Sequence, residues 1–362
     1  MTAKQRKIRV FFTGGGSGGH VIPALTLIEE LRKNGDTEVR YIGSYDGIEA
    51  NLVNPRGIKY YGVSSGKLRR YFSWKNFTDF FRVIKGFTQS AIIMLRSRFS
   101  RRCLVFSTGG FVSLPVVYAA KLMGIKVFIH EQTSRAGLAN KLASLVADKV
   151  FISFEDSRKF FPASKTIFSG YPIRAEIRSK QARPLKLKGR SLDRQDRPIL
   201  FVTGGGNGSK LINDLVRKNL TDLKNKYLVI HQVGKKFIES FLDEEDESYI
   251  CLSFIGDEMV ELLKRSHIVI SRAGAGTVCE LLALKKRSIL IPLKIAQKNE
   301  QYWNAVEAVK KLNSLIIEED EVKGLDLIKL IESFESEKTE ILPFPNAGNA
   351  TQFLIDQINN NN

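Results

Sequence analysis

Twice along this chain a short run of β-branched and aromatic residues ends in Thr-Gly-Gly-Gly. Ile8–Thr13 runs into TGGGSGGH (Thr13–His20), and Ile199–Thr203 runs into TGGGNGS (Thr203–Ser209). Glycine has no Cβ, so such a turn lets backbone N–H groups approach a ligand closely, and a helix beginning just beyond it adds partial positive charge. A third turn, SRAGAG at Ser271–Gly276, follows the run Ile268–Ser271 and precedes another helical pattern. None contains the GK[ST] of a P-loop, so Walker-type phosphate chemistry is unsupported. Three phosphate-style turns favour a nucleotide-linked substrate.

The segments around these turns set the architecture. Ile8–Thr13, Val39–Ile42, Cys103–Ser107, Val127–Ile129 and Val150–Ile152 read as strands, with helical patterns such as Ala24–Lys33 and Val116–Met123 between them. A second series runs through Ile199–Thr203, Tyr227–His231, Ile268–Ser271 and Ile289–Pro292. Such alternation predicts an α/β protein with parallel sheets covered by helices on both faces. At 362 residues the chain suits two domains. The polar, proline-bounded stretch Ala182–Pro198 reads as the boundary region. Ligands of doubly wound sheets sit beyond the strands' carboxyl ends, so two facing domains would line one cleft. The low-complexity tail, Gln357–Asn362, is expected to fray.

Composition narrows the classes. With 43% hydrophobic and 26% charged residues the chain is neither disordered nor fibrous. Cys103, Cys251 and Cys279 lack metal or disulfide spacing, so a reducing cytoplasm is the default compartment. The N-terminus reads as a first strand, not a signal peptide, and Lys121 and Lys126 interrupt the most apolar stretch, so membrane contact would be peripheral.

The net charge of +18 points to a polyanionic partner. Half of that surplus lies in Lys67–Arg102, which has ten Lys/Arg against one acid, Asp79. Trp74, Phe77, Phe81 and Ile84 follow helical spacing there, with Lys75, Arg82 and Lys85 close by. One face of an amphipathic helix would bury some of these rings in a core. The number of large apolar groups exceeds one stripe, and cations surround them. That pattern suits an anionic membrane surface, with single-stranded nucleic acid as the alternative. The rings read as a helical face, not a flat stacking platform, which favours the membrane.

His20 closes the first glycine loop where a helix would begin. A helix N-terminus disfavours a protonated imidazole, and a neutral imidazole is what a general base needs. A capping or packing histidine is the other reading of the same position.

The motifs taken in order resemble one family. They are GGSGGHVIPAL (Gly15–Leu25), TGGFVSLP (Thr108–Pro115), HEQTSRAGLANK (His130–Lys141), SGYPIR (Ser169–Arg174), TGGGNGS, SRAGAGTVCE (Ser271–Glu280) and EQYWNA (Glu300–Ala305). Together they resemble the MurG family of N-acetylglucosaminyltransferases. The resemblance implies a GT-B fold, two Rossmann-like domains spanning 1–173 and 174–345, with a C-terminal helix at about 346–362 returning to the first. It implies UDP-GlcNAc as donor and undecaprenyl-diphospho-MurNAc-pentapeptide as acceptor. The MurNAc 4-hydroxyl would attack with inversion, without cofactor or metal. The family works at the cytoplasmic face of the cell membrane, peripherally, with an anionic lipid surface as partner and no nucleic acid.

Matched by position, His20 falls on the family's base, with His130 and Glu131 in reserve. Ser17, Gly18 and Gly19 fall on its first glycine loop, and Thr133 on a sugar contact. Arg174 matches the arginine that meets the donor diphosphate. Gly206, Asn207 and Gly208 match the second-domain phosphate loop, and the backbone of Ile255 matches the uracil reader. Arg272, Ala275, Gly276 and Thr277 lie in the loop near the diphosphate. Glu280 matches the carboxylate on the ribose hydroxyls, and in a helix's first turn it would also suit the helix dipole. Glu300, Gln301 and Asn304 match the run that recognises GlcNAc hydroxyls.

Four positions depart from the family pattern: Thr133 for Asn, Gly206 for Ser, Glu300 for Gln and Phe111 for Tyr. One extra residue lies before Met259 and another before Glu300. Two other functions fit parts of the chain. One is a different GT-B transferase with a lipid acceptor, such as a diacylglycerol galactosyltransferase. The other is an NAD-dependent oxidoreductase using Asp46 beyond the first loop, which leaves the other two loops without a role.

Overall fold

The computed structural model describes residues 8–33, 35, 37–66, 74–98, 102–179, 181–295, 299–337 and 349–360; for 74–78 and 97–98 it describes the backbone alone. The chain divides into two compact units, Met1–Ile173 with Asn346–Asn362, and Arg174–Pro345.

In the first unit β1 (Ile8–Thr13), α1 (Gly18–Lys33), β2 (Thr37–Ser44), α2 (Ile48–Val53), β3 (Lys59–Val63), α3 (Trp74–Arg98), β4 (Cys103–Ser107), α4 (Ser113–Leu122), β5 (Lys126–Glu131), α5 (Leu138–Val146), β6 (Lys149–Ile152) and β7 (Thr166–Phe168) follow in turn. The strands form one parallel sheet in the order β3-β2-β1-β4-β5-β6-β7. A strand buried on both faces reads as a largely apolar run, and β1, IRVFFT, apolar but for Arg9 and Thr13, shows why. Val10 and Phe12 enter a core with Val21, Leu25 and Ile28 of α1, while Phe11 enters the opposite core with Val105, Val116 and Val127.

The second unit holds α6 (Ala175–Arg178), β8 (Lys186–Leu187), β9 (Arg190–Ser191), β10 (Ile199–Thr203), α7 (Lys210–Lys218), α8 (Leu220–Lys226), β11 (Leu228–Gln232), β12 (Tyr249–Leu252), α9 (Met259–Arg265), β13 (Ile268–Ser271), α10 (Ala275–Leu284), β14 (Ser288–Leu290), α11 (Glu300–Leu312), β15 (Leu315–Ile316) and α12 (Leu327–Ser336). Its parallel sheet has the order β12-β11-β10-β13-β14-β15. α13 (Ala350–Asn359) then completes the first unit. The Rossmann-like pattern therefore occurs twice, once in each unit.

Three sequence expectations need correction. Ala182–Pro198 is not a connector: it lies inside the second unit, where Leu185, Leu187 and Leu192 are buried and Asp193 pairs with Arg265 at 2.7 Å. Its charged letters concealed three apolar anchors. The tail does not fray from Gln357 onward, because α13 continues to Asn359, Ile358 is buried and Gln357 Oε1 accepts from Lys149 Nζ at 2.7 Å. The short strands β3, β7, β12 and β15 complete the sheets beyond those read from the sequence.

Candidate functional site

In both sheets the strand order reverses beside the first strand, between β1 and β4 and between β10 and β13. Loops leaving the two neighbours turn to opposite faces there, which opens the ligand crevice of doubly wound folds. All three glycine turns lie at these two points.

In the first unit the loops after β1 and β4 are joined by Thr108 N–H donating to the Thr13 carbonyl at 2.9 Å and Gly15 N–H to the Gly109 carbonyl at 3.2 Å. Ser17 precedes α1, Gly18 and Gly19 open it, and His20 stands half-buried in its first turn. His20 Nδ1 lies 2.9 Å from the Thr108 carbonyl and 3.3 Å from Gln132 Oε1. Two acceptors around one nitrogen place the ring proton on Nδ1 and leave the Nε2 lone pair open. Gln132 was not among the sequence candidates, although it is the Gln of the HEQ segment. Its Nε2 donates to the His130 carbonyl at 3.1 Å and lies 3.3 Å from His130 Nδ1, which turns its oxygen toward His20. A cavity of about 530 Å³ opens beside this loop between Gly16, Ser44, Asp46, Arg82 and Phe111.

His130 and Glu131 have no free basic atom for chemistry. His130 is fully buried, with Nε2 at 3.1 Å from the Gly170 carbonyl and Nδ1 facing Gln132; burial lowers its pKa to about 4, against the raising effect of Gly170. Glu131 accepts from Thr133 N–H (3.1 Å), the Thr133 hydroxyl (2.8 Å), Gly137 N–H (3.1 Å) and Asn140 Nδ2 (3.0 Å). Those four donors fill a carboxylate's four lone-pair positions, so Glu131 organises its loop. The Thr133 hydroxyl also lies 2.6 Å from the Arg135 carbonyl and shares its single proton between the two acceptors. Where the family pattern has an amide, this chain therefore turns the side chain back on its own loop.

In the second unit Gly206 and Asn207 form the exposed tip of the loop after β10. Gly208 has φ +75°, and a Cβ there would lie 2.0 Å from the Val233 carbonyl, so only glycine closes this turn. Arg272 braces the loop from below: its guanidinium donates to Ser209 Oγ (2.8 Å) and the Ile291 carbonyl (3.0 Å) and pairs with Glu319 (2.7 Å). It holds the loop in shape through those three bonds.

Ala275, Gly276 and Thr277 form the first turn of α10 after Gly274, where helix N–H groups lack intrahelical partners. Glu280 sits one turn further in, a correction to its expected first-turn place, so its charge is met by Arg174 and not by the helix end. Arg174 Nε and Nη2 donate to Glu280 Oε1 at 3.0 and 2.8 Å. Burial raises the Glu280 carboxyl above its ordinary range, and Arg174 opposes that shift. Both bonds fall on Oε1, which leaves Oε2 for another donor.

Three residues matched to the donor side make internal hydrogen bonds. Ile255 N–H donates to Gln232 Oε1 at 2.9 Å, so that N–H is taken up within the unit. Asn304 is buried on the inner face of α11, and its Nδ2 donates to the Ala273 carbonyl at 3.2 Å; it supports the third glycine turn. Gln301 Oε1 accepts from Leu293 N–H at 3.0 Å, while Glu300 opens α11 half-buried. Phe254, missed in the sequence, is 63% exposed beside the second loop, where a Cβ on Gly206 would lie 4.0 Å from its ring. Its signal was an aromatic residue directly before Ile255.

On α3, Phe81 is 55% and Ile84 45% exposed, and Arg82 and Lys85, each next in sequence to one of them, are exposed too. Ile92 and Leu95 extend the same face at helical spacing, while Met94 faces the core. Trp74, Lys75 and Phe77 belong to the same helix, but their side chains lie outside the described residues. Among the described residues no helix is long and apolar enough to cross a membrane.

The glycosyltransferase family 28 N-terminal domain matches residues 10–152 and the family 28 C-terminal domain residues 199–359. The chain is 43% identical over 323 residues, 89% of each chain, to the UDP-N-acetylglucosamine–N-acetylmuramyl-(pentapeptide) pyrophosphoryl-undecaprenol N-acetylglucosamine transferase of Clostridium botulinum strain Langeland. It is 40% identical to the enzyme of the same name from Clostridium tetani, covering 97% of this chain and 98% of that one. The crystal structure of Acinetobacter baumannii MurG superposes with a TM-score of 0.73 at 25% identity, covering 98% and 99% of the chains.

Proposed function

Since this chain belongs to glycosyltransferase family 28, we propose that it moves N-acetylglucosamine from UDP-GlcNAc to the MurNAc 4-hydroxyl of undecaprenyl-diphospho-MurNAc-pentapeptide, converting lipid I to lipid II. The observation that carries the donor side is the Arg174–Glu280 pair one turn inside α10. Glu280 Oε2 accepts from the ribose hydroxyls, and Arg174 turns its remaining N–H groups to the diphosphate. The N–H groups of Ala275, Gly276 and Thr277 and of the loop at Gly206, Asn207 and Gly208 take up the charge that develops as UDP leaves. Phe254 stacks on the uracil, which the Ile255 carbonyl reads, and Glu300 accepts from GlcNAc hydroxyls. On the acceptor side His20 Nε2 takes the proton of the 4-hydroxyl as its oxygen bonds to the anomeric carbon. The bond to the phosphate oxygen breaks with its electron pair on UDP, and inversion follows. Ser17, Gly18 and Gly19 position the acceptor at that helix end.

A thermal-shift comparison of UDP-GlcNAc, UDP-glucose, UDP-galactose and NAD at matched saturating concentrations tests the donor assignment. A ligand at 100 times its Kd adds ~2.7 kcal/mol to the state it binds, so UDP-GlcNAc alone should raise the second unit's melting midpoint by several degrees. Selective stabilisation by UDP-galactose or NAD would refute the donor.

The acceptor is a lipid, and the α3 face supplies the surface that meets its membrane. Phe81, Ile84, Ile92 and Leu95 enter the headgroup region while Arg82 and Lys85 face anionic lipid. Each cation near such a surface contributes ~1 kcal/mol, enough in combination for reversible attachment. Changing Phe81, Ile84, Ile92 and Leu95 to Ser should cut flotation with anionic vesicles by about tenfold or more. Undiminished flotation would assign the patch elsewhere.

A further inference from the structure

Three glycines on three different segments make room for the side chain of Glu49, and Gly43 does so for Tyr60 as well. A Cβ on Gly15 of the first glycine loop, on Gly43 of β2 or on Gly47 ahead of α2 would come within 2.6, 2.7 and 2.2 Å of Glu49 atoms. Glu49 is 0% exposed. Its Oε1 accepts from Ser44 N–H at 2.8 Å and from the Ser44 hydroxyl at 2.5 Å, and its Oε2 accepts from Gly16 N–H at 3.3 Å. Among the described residues no Lys or Arg pairs with it. A carboxylate buried without a cation is costly, and an apolar residue would seal α2 more cheaply.

What the carboxylate holds is the loop that leads to His20. Tyr41 Oη donates to the Gly14 carbonyl at 2.7 Å, Gly15 N–H is held by Gly109, and Glu49 takes Gly16 N–H. Each of the three glycines before α1 is thus tied by one bond, and Gly16 is the last fixed point before the helix turns. In a phosphate-binding loop that N–H would face an anionic ligand. Here an internal carboxylate occupies it.

We infer that Glu49 is a positioning residue: by holding Gly16 it fixes the entry of α1 and so the direction in which His20 presents Nε2 to the acceptor hydroxyl. The inference rests on His20 serving as the base of the proposed transfer. Misplacing a reacting group by about 1 Å can cost ~10²-fold in rate.

The test uses the full-length protein, UDP-GlcNAc and the lipid acceptor, and compares E49Q with E49D. The amide of E49Q matches the carboxylate in size, and its one oxygen can still serve Ser44. Its NH2 then faces Gly16 N–H, donor against donor. The shorter E49D keeps two acceptor oxygens. We expect E49Q to lose ~10–100-fold in kcat, E49D to lose less, and the KM for UDP-GlcNAc to stay within about twofold in both. Packing alone predicts the reverse order, because Gln preserves shape and Asp does not. E49Q within about twofold of the parent in kcat, or faster than E49D, overturns the inference. If E49Q does not fold, G15A decides, since its Cβ pushes the loop off an intact carboxylate. An unchanged kcat in folded G15A would be equally fatal. A parent protein that transfers no GlcNAc would instead refute the proposed reaction, before any variant is compared.

Discussion

Replacing His20 with alanine should lower kcat by ~10²–10⁴-fold, the contribution of a positioned general base. That range corresponds to about 3–5 kcal/mol of transition-state stabilisation. The size follows from how the ring is held. Thr108 and Gln132 both accept at Nδ1, so the neutral ring is fixed in the tautomer whose Nε2 lone pair is open. Removing the ring removes that acceptor and leaves the donor residues of the other unit untouched, so the KM for UDP-GlcNAc should not move. Q132A should cost less, because the Thr108 carbonyl still orients the ring. A full transfer rate in H20A would take the base away from His20. His130 and Glu131 could not replace it as they stand, because Gly170 and Gln132 occupy His130 and four donors surround Glu131.

The fold was legible because both faces of these sheets are covered. A run such as IRVFFT or ILFVT is largely apolar in letters and double-sided in space, and the glycines after it mark its carboxyl end. The glycine turns beside those strands were legible too; which way the side chains around them face was not. Asn304, Gln301 and Arg272 lie beside donor-side loops but point inward, to Ala273, Leu293, and to Ser209 with Glu319. A motif gives the order of residues and not which face of α11 each occupies. Gln132 and Glu49 went unread for the opposite reason. Each acts through a backbone partner or another ring, and such a link between segments leaves no spacing signal. The polar stretch Ala182–Pro198 misled because three leucines decide its place and fourteen other residues decide its composition.

Ending the chain at Pro345 should remove most of the first unit's stability while sparing the second. Leu354, Ile355 and Ile358 of α13 are buried in the same core as Val10, Phe12, Leu27 and Ile28. Phe353 meets Phe151 edge-on at 6.3 Å, and the Thr351 hydroxyl donates to the Ile173 carbonyl at 3.0 Å. Burying each of three aliphatic side chains contributes about 1.5–3 kcal/mol, so their joint loss is about 5–9 kcal/mol. A typical domain has ~5–15 kcal/mol in total, and the surfaces of α1 and β6 that α13 touches would also meet water. A ten-residue helix is marginal in isolation, so α13 forms by docking and leaves an exposed core when it is cut away. Urea unfolding should therefore show the first unit's transition shifted to low denaturant or lost, with the transition protected by UDP-GlcNAc retained. Single changes grade the effect: L354A and I358A should each cost ~2–5 kcal/mol, depending on how far α1 can close over the gap. A truncated chain whose first transition does not move would mean that α1 closes the core unaided. The sealing role would then pass from α13 to the contacts of α1 with β1 and β2.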